Sequence, residues 1–162
     1  MQKDPIPLAD GESSDTATET PPSIPSSGPA TLAESLESWS TQILEDHCNA
    51  KKFNTESTGF MAPSFRAKHD GLPTARSRQQ HLDNLKRHFS VMPEFHLELL
   101  NCSSEVDEQQ GLGMVYMFFR LSKLVGDLQR ESIAVLKWER RHGEWLCVKH
   151  TGLRGPSGFP DT

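Results

Sequence analysis

The side chains of this chain that could take part in proton chemistry are sparse and are mostly imidazoles. His69 and Asp70 are adjacent, His81 and His88 stand seven apart, Tyr116 is the only tyrosine, and His150 lies near the C-terminus. Imidazole, carboxylate and phenol can exchange a proton with a substrate, or donate a hydrogen bond to a developing oxyanion, once burial has adjusted their pKa. Other chemistries lack their residues. The sequence holds no HExxH pair, no CxxC, no Gly-rich phosphate loop and no nucleophile motif. His81 and His88 miss the i,i+4 spacing of a helical zinc pair, so no metal is expected. Cys48, Cys102 and Cys147 are far apart and odd in number, which argues against a disulfide framework. Cys147 has no neighbouring base and reads as a buried structural thiol.

The elements that must position these groups change type halfway along the chain. Leu32, Leu36, Trp39, Ile43 and Leu44 recur at helical steps and predict a first helix over residues 31–50. Phe60, Met61 and Phe65 predict a short second helical piece ending near Lys68, and His69-Asp70-Gly71 with Pro73 predicts a loop. Ser77 with Gln80 is a capping-box pattern. It opens a third helix carrying Leu82, Leu85, Phe89 and Met92, which Pro93 closes. His81 stands beside that stripe one turn before Leu85, with His88 on a similar side, and both read as boundary residues.

From Glu94 the period becomes two. Phe95, Leu97 and Leu99 alternate with His96 and Glu98 as a half-buried strand, and Ser103 to Gly111 reads as a polar turn. Leu112 to Leu121 is apolar on both faces, with Met114, Tyr116 and Phe118 on one and Val115, Met117 and Phe119 on the other. Such a strand needs cover on both sides. Helices supply one cover, and a second subunit is the simplest source of the other. Gly126-Asp127 is a turn, Arg130 to Arg140 a third strand, Arg141-His142-Gly143 a tight turn and Glu144 to Thr151 the last strand. Trp138 and Trp145 are placed to pair across that hairpin. Helices first and a meander second is an α+β arrangement, with helices on one face of a curved antiparallel sheet.

Composition limits the partners. The 162 residues carry a net charge of −5, and the first thirty hold one Lys against five acids, six prolines and no aromatic residue. Residues 1–30 therefore read as a disordered acidic tail. Residues 31–155 read as the folded domain, and Gly155, Pro156, Gly158 and Pro160 as a frayed end over residues 156–162. The nearly neutral domain lacks a basic face, so no nucleic acid is expected. Arg140, Arg141, Lys137 and Lys149 are tempered by Glu139 and Glu144 into a solvated surface. No apolar run is long enough to span a bilayer. The opening MQKDPIPLADGESSD lacks the apolar core of a secretory signal and the arginines of a mitochondrial presequence, so the expected place is the cytoplasm.

With these elements in order the chain resembles a known superfamily. Phe60-Met61-Ala62-Pro63-Ser64-Phe65 leads to His69-Asp70-Gly71, followed by Ser77-Arg78-Gln79-Gln80-His81-Leu82. Glu131 to Trp145 and then Val148-Lys149-His150 form a strand, basic turn, Gly, Trp, strand, His ending. Together they resemble the NTF2-like superfamily, within it the SnoaL-like and DUF4440 group, and in texture fungal SnoaL-like proteins. The resemblance covers most of residues 31–155. It implies an α+β cone, three N-terminal helices packed on a curved antiparallel sheet around an apolar pocket, with homodimers formed through the outer sheet face.

Activity in that group is varied. Some members are isomerases, cyclases, dehydratases or epoxide hydrolases working without a cofactor on polyketides, steroids or terpenes; others bind, transport or hold assemblies together. Fold does not choose among these. The expected ligand is an apolar small molecule. For the enzymatic reading, His69, Asp70, His81, Tyr116 and His150 are the candidate catalytic residues. Trp39, Phe118, Leu136 and Trp138 are candidate lining, and Arg78 a candidate for an anionic group at the mouth. Each has a plainer reading: a surface turn for His69 and Asp70, a core or dimer-face aromatic for Tyr116, a sheet-edge cap for His150, a solvated side chain for Arg78 and for the His96–Glu98 pair. No inward carboxylate is evident on the late strands, where Ala134, Leu136 and Trp138 share a phase with Ser132 as its polar member. An open cavity favours the ligand-binding reading. One filled by Trp39, Phe118 and Trp138 favours a non-catalytic interaction or dimerisation module.

Overall fold

A computed structural model describes residues 30–69, 72–124 and 128–154. The expected tail before residue 30, residues 156–162, Asp70, Gly71 and the Gly126-Asp127 turn lie outside the described residues. The chain runs α1 (Leu32–Leu44), β1 (Met61–Lys68), α2 (Arg78–Val91), β2 (His96–Asp107), β3 (Leu112–Ser122), β4 (Arg130–Arg141) and β5 (Glu144–Arg154). No helix among the described residues is long and apolar enough to cross a membrane.

Helix α1 begins with a reciprocal cap. The Thr31 side chain accepts from the Glu34 N–H, and the Glu34 carboxylate accepts from the Thr31 N–H. Both free donors of the first turn are thereby met. After Leu44 the helix widens into a single π-type turn, Glu45–Asn49. There the Asn49 side chain clasps Leu97 of β2, donating to its carbonyl and accepting from its N–H, both at 2.8 Å. Helix α2 is capped by Ser77, whose hydroxyl accepts from the Gln80 N–H. The Gln80 side chain accepts instead from Arg76, so the expected capping box is only half made.

The expected second helical piece is a strand. Two α-helices are present among the described residues rather than three, and Met61–Lys68 forms β1 after a short 3-10 turn, Glu56–Phe60. Pro63 helps to explain why. It cannot donate to a ladder, and β1 lies at the sheet edge, where one side needs no partner. Phe65 and Ala67 turn inward and Arg66 and Lys68 outward, which is strand period.

The five strands are ordered β1-β5-β4-β3-β2. β1 runs parallel to β5, with Ala67 opposite His150 and Lys68 opposite Thr151. The other pairs are antiparallel. β2 continues through Ser103 to Asp107, so the expected polar turn shortens to the few residues before Leu112. The β4–β5 hairpin turns at His142 and Gly143, both at positive φ (51° and 81°), as a two-residue turn matched to strand twist requires. Trp138 lies opposite Cys147 and Arg140 opposite Trp145, so the two tryptophans are not the expected cross-strand pair. They stand two positions apart in one continuous register, and the register shift of this pair lies beyond Trp138, toward Lys137.

The helices pack on the concave face. Leu36, Ile43 and Leu44 of α1 and Leu85 and Phe89 of α2 share one buried cluster with Val115, Met117, Phe119, Ala134, Leu136 and Trp138. Trp138 is fully enclosed, its indole N–H donating to the Ser40 hydroxyl at 2.9 Å, and its ring lies 5.9 Å from that of Trp39. Trp39 in turn packs on Phe60 at 5.4 Å. This aromatic group fills the end of the cone nearest the β4–β5 turn.

Candidate functional site

The other end of the cone is open. A cavity of about 790 Å³ lies between α1, α2 and the sheet, walled by side chains such as Ile43, Leu85, Phe89, Phe119 and Leu136. On β4 it ends at Leu136, and Trp138, the next inward residue, belongs to the packed end. Toward the mouth stand Arg120, Leu124, Leu128, Arg130 and Glu131. Its polar wall is made of histidines: His47, His69, His81, His88 and His150 all line it.

Three of these converge. His69 follows β1, in phase with inward Phe65 and Ala67. His81 sits in the first turn of α2, and its ring packs 5.0 Å from Phe65. His150 of β5 points inward beside Ala67, whose small side chain leaves it room. The His69 ring meets His150 edge-on at 4.2 Å and lies over His81 at 5.5 Å. One ring nitrogen from each of the three lies within 4.8 Å of the other two. Gly152 makes the approach feasible, because a Cβ there would stand 2.8 Å from His69 Nδ1.

These rings are uncharged at neutral pH. Burial, followed by the His88 charge, lowers His69 to about 4. Burial, then His69 and His47, lowers His81 to about 3. His150 is lowered well below the ordinary range by burial and by the other two. The Nε2 of His69 is buried and has no hydrogen-bond partner among the described residues. A buried polar atom without a partner costs about 1–3 kcal/mol, so such an atom marks a place where a ligand would be met.

His47 is a functional candidate that the sequence reading passed over. It is 1 % exposed, in the π-type turn after α1, and burial lowers it to about 4. Its Nε2 lies 2.9 Å from the Thr58 hydroxyl, which itself donates to the Phe53 carbonyl. The Thr58 proton is thus committed, so Nε2 of His47 is the donor and Nδ1 carries the bare lone pair. That Nδ1 is buried without a partner. Leu36, Ser40, Ile43 and His47 form one buried stripe. Following the helical face through its polar positions would have found His47.

The structure disperses several expected site residues. Tyr116 lies on the outer sheet face, 36 % exposed, with its hydroxyl 3.4 Å from Glu105. It cannot reach the cavity, because inward residues on β3 are Val115, Met117 and Phe119. Phe118 shares the outer face with Tyr116. Arg78 is occupied in tying α2 to β1, donating to the Met61 carbonyl at 2.9 Å. Trp39 and Trp138 form the packed end, and Leu136 alone of the expected lining residues borders the cavity. His69, His81 and His150 come together, and Asp70 lies outside the described residues.

Comparison with solved structures places this architecture. A candidate dehydratase of the NTF2-like family from Streptomyces avermitilis superposes with a TM-score of 0.60 at 12% identity, covering 74% of this chain and 94% of that one. A candidate ketosteroid isomerase from Parabacteroides distasonis gives 0.55 at 12% identity, covering 77% and 89%. The S. rosetta CaMKII hub gives 0.62 at 11% identity, covering 79% and 100%. No protein-family model and no curated protein matches the chain. The fold is the NTF2-like, cystatin-like fold, as the sequence motifs suggested. At these identities the likeness is one of fold, and the SnoaL-like subdivision rests on the sequence motifs alone.

Proposed function

We propose that this protein binds an apolar, carbonyl-bearing small molecule of polyketide or terpene type in the cone. There it isomerises, cyclises or dehydrates that molecule by proton transfer through imidazoles. The observation that supports the reading most directly is the open cavity of about 790 Å³, largely apolar in depth, with His47, His69, His81 and His150 among its polar groups and charged side chains toward its mouth. That volume suits a drug-sized ligand, and such pockets work through a few placed polar groups. His47, with its tautomer held by Thr58, offers a bare Nδ1 to take a proton. The imidazoles of His69, His81 and His150 offer N–H groups for a carbonyl oxygen or a leaving hydroxyl.

The lowered pKa values narrow the substrate. A base whose conjugate acid has a pKa of about 4 abstracts efficiently only from an already acidified C–H, such as that between two carbonyls. Polyketide-type 1,3-dicarbonyls have such positions. The imidazolium formed is a strong acid and returns its proton readily, which suits isomerisation and dehydration.

A homodimer through the outer sheet face completes the proposal. Leu112 and Tyr116 are exposed there beside half-buried Met114 and Phe118. If the protein is instead an interaction module, that face is its working surface and the cavity is idle. The test is binding and solvent-deuterium exchange with a 1,3-diketone series, followed by tryptophan fluorescence and NMR on the chelator-treated chain. The reading expects one site per chain and exchange at the central carbon, both abolished by filling the cavity with Leu136→Trp. Folded protein with neither binding nor exchange overturns it.

A further inference from the structure

We infer that His69, His81 and His150 constitute a binding site for one divalent transition-metal ion of the Zn²⁺ class. The inference goes beyond proton transfer and does not depend on it, since metal binding is read without any organic ligand. It rests first on convergence. Three imidazoles from the end of β1, the first turn of α2 and β5 each bring a ring nitrogen within 4.8 Å of the other two. A four-coordinate ion at Zn–N distances of about 2.0–2.1 Å needs its nitrogens about 3.4 Å apart. Closing the triangle takes a shift of about 1.4 Å, which imidazole rotation can provide because the second side-chain torsion of histidine is broad.

The second support is how the site is built. The parallel pairing of Ala67 with His150 brings the end of β1 beside β5, and Gly152 leaves the space that His69 occupies. Any larger residue at 152 would push the ring away. The Nε2 of His69 is also buried with no partner among the described residues. In the tautomer protonated at Nδ1, that atom presents the lone pair a metal ion accepts.

The donor set then selects the ion. Three imidazole nitrogens, with no carboxylate in the group among the described residues, suit Zn²⁺, Co²⁺, Ni²⁺ or Cu²⁺ and disfavour Mg²⁺ and Ca²⁺, which require oxygen. Cys48 and Cys147 line the same cavity, but neither belongs to the group whose ligand atoms converge. Among the described residues no fourth ligand joins the three, which leaves the fourth coordination position to the cavity, as in sites that work on a bound molecule rather than brace a fold.

The decisive experiment titrates Co²⁺ into the full chain after chelator treatment, reading visible absorption, with Zn²⁺ competition against a chromophoric chelator. The site predicts one equivalent of Co²⁺ with the intense bands of four-coordination, displaced by Zn²⁺. H69Q, H81Q and H150Q should each weaken binding at least tenfold, whereas H142Q, in the exposed hairpin turn, should leave it unchanged. Should H81Q or H150Q fail to fold by circular dichroism, H69Q and G152A decide, since both act at the open end of the cluster. Folded wild-type chain that shows no cobalt spectrum overturns the inference, as does stoichiometric binding that survives H69Q and G152A. Cobalt binding is read without any organic ligand, and deuterium exchange is read on the chelator-treated wild-type chain, so the two readings fail separately.

Discussion

Gly152 faces the His69 imidazole so closely that an added Cβ would stand 2.8 Å from Nδ1 and 3.7 Å from the His69 Cα. The strand and the ring that follows its neighbour were thus fitted to each other through a missing side chain. Gly152→Ala should displace the ring while leaving the β1–β5 ladder in place. We expect about 1 kcal/mol of destabilisation, at the low end for inserting a methyl group into a packed site. The His69 imidazole resonances should shift in two-dimensional NMR, and affinity for the cavity ligand should drop at least tenfold. Unshifted resonances would show that the ring has room elsewhere.

Acid should unfold this protein earlier than its charge suggests. His47, His69 and His81 have folded pKa values of about 4, 4 and 3 against 6.5 in the unfolded chain, and His150 is lowered as well. Between those limits the unfolded state binds more protons, so stability is full above about pH 6.5 and is lost as pH falls toward 4. Each group contributes up to about 1.4 kcal/mol per pH unit in that window, less where neighbouring rings compete for a proton. Urea midpoints measured from pH 8 to 4 should fall steeply below 6.5, and His81→Gln should flatten the slope.

Trp138 and Ser40 should prove to be a coupled pair. Ser40→Ala leaves the buried indole N–H without its acceptor and should cost about 1–3 kcal/mol. Trp138→Ala should cost about 3–5 kcal/mol, because it empties the packed end of the cone. In the double variant the two losses should not add, since the bond that Ser40 supplies is already gone. Equilibrium urea denaturation of the three variants checks this.

Tyr116→Phe should leave cavity binding and turnover unchanged, because the hydroxyl lies on the outer face beside Glu105. Its effect on stability should stay within about 0.5 kcal/mol, as for most exposed substitutions. Tyr116→Arg, by contrast, should split a dimer formed through that face. Sedimentation velocity on both variants separates a working surface from an idle one.

Much of the scaffold was legible because periodicity is a local property. The stripe of α1, the Ser77 start of α2 and the inward phase of Ala134, Leu136 and Trp138 all appear in the structure as residue spacing implied. β1 was misread because Phe60, Met61 and Phe65 fit helical spacing as well as they fit a strand, and only the sheet edge resolves the two. That error placed the candidate His69 on a loop and left its facing open: once Phe65 and Ala67 define a period of two, residue 69 must face inward. The three-histidine cluster was illegible for a different reason. Its members lie on three elements whose contact depends on β1 pairing with β5, and no spacing within the chain encodes that pairing. Tyr116 went astray because a strand apolar on both faces does not declare which face is the core.

The aromatic group at Trp39, Phe60 and Trp138 makes the cone a blind alley. A guest must enter and leave by the same opening, head first, with its far end stopped short of Trp138. On the proposed ligand-binding reading, such a cavity measures length. A chain one unit too long protrudes among Arg120, Arg130 and Glu131 rather than settling deeper, and a shorter one leaves its reactive carbon out of line with the histidines. Selection by reach, set at Leu136 and the indole behind it, would let one mouth admit many shapes while only one size is correctly seated.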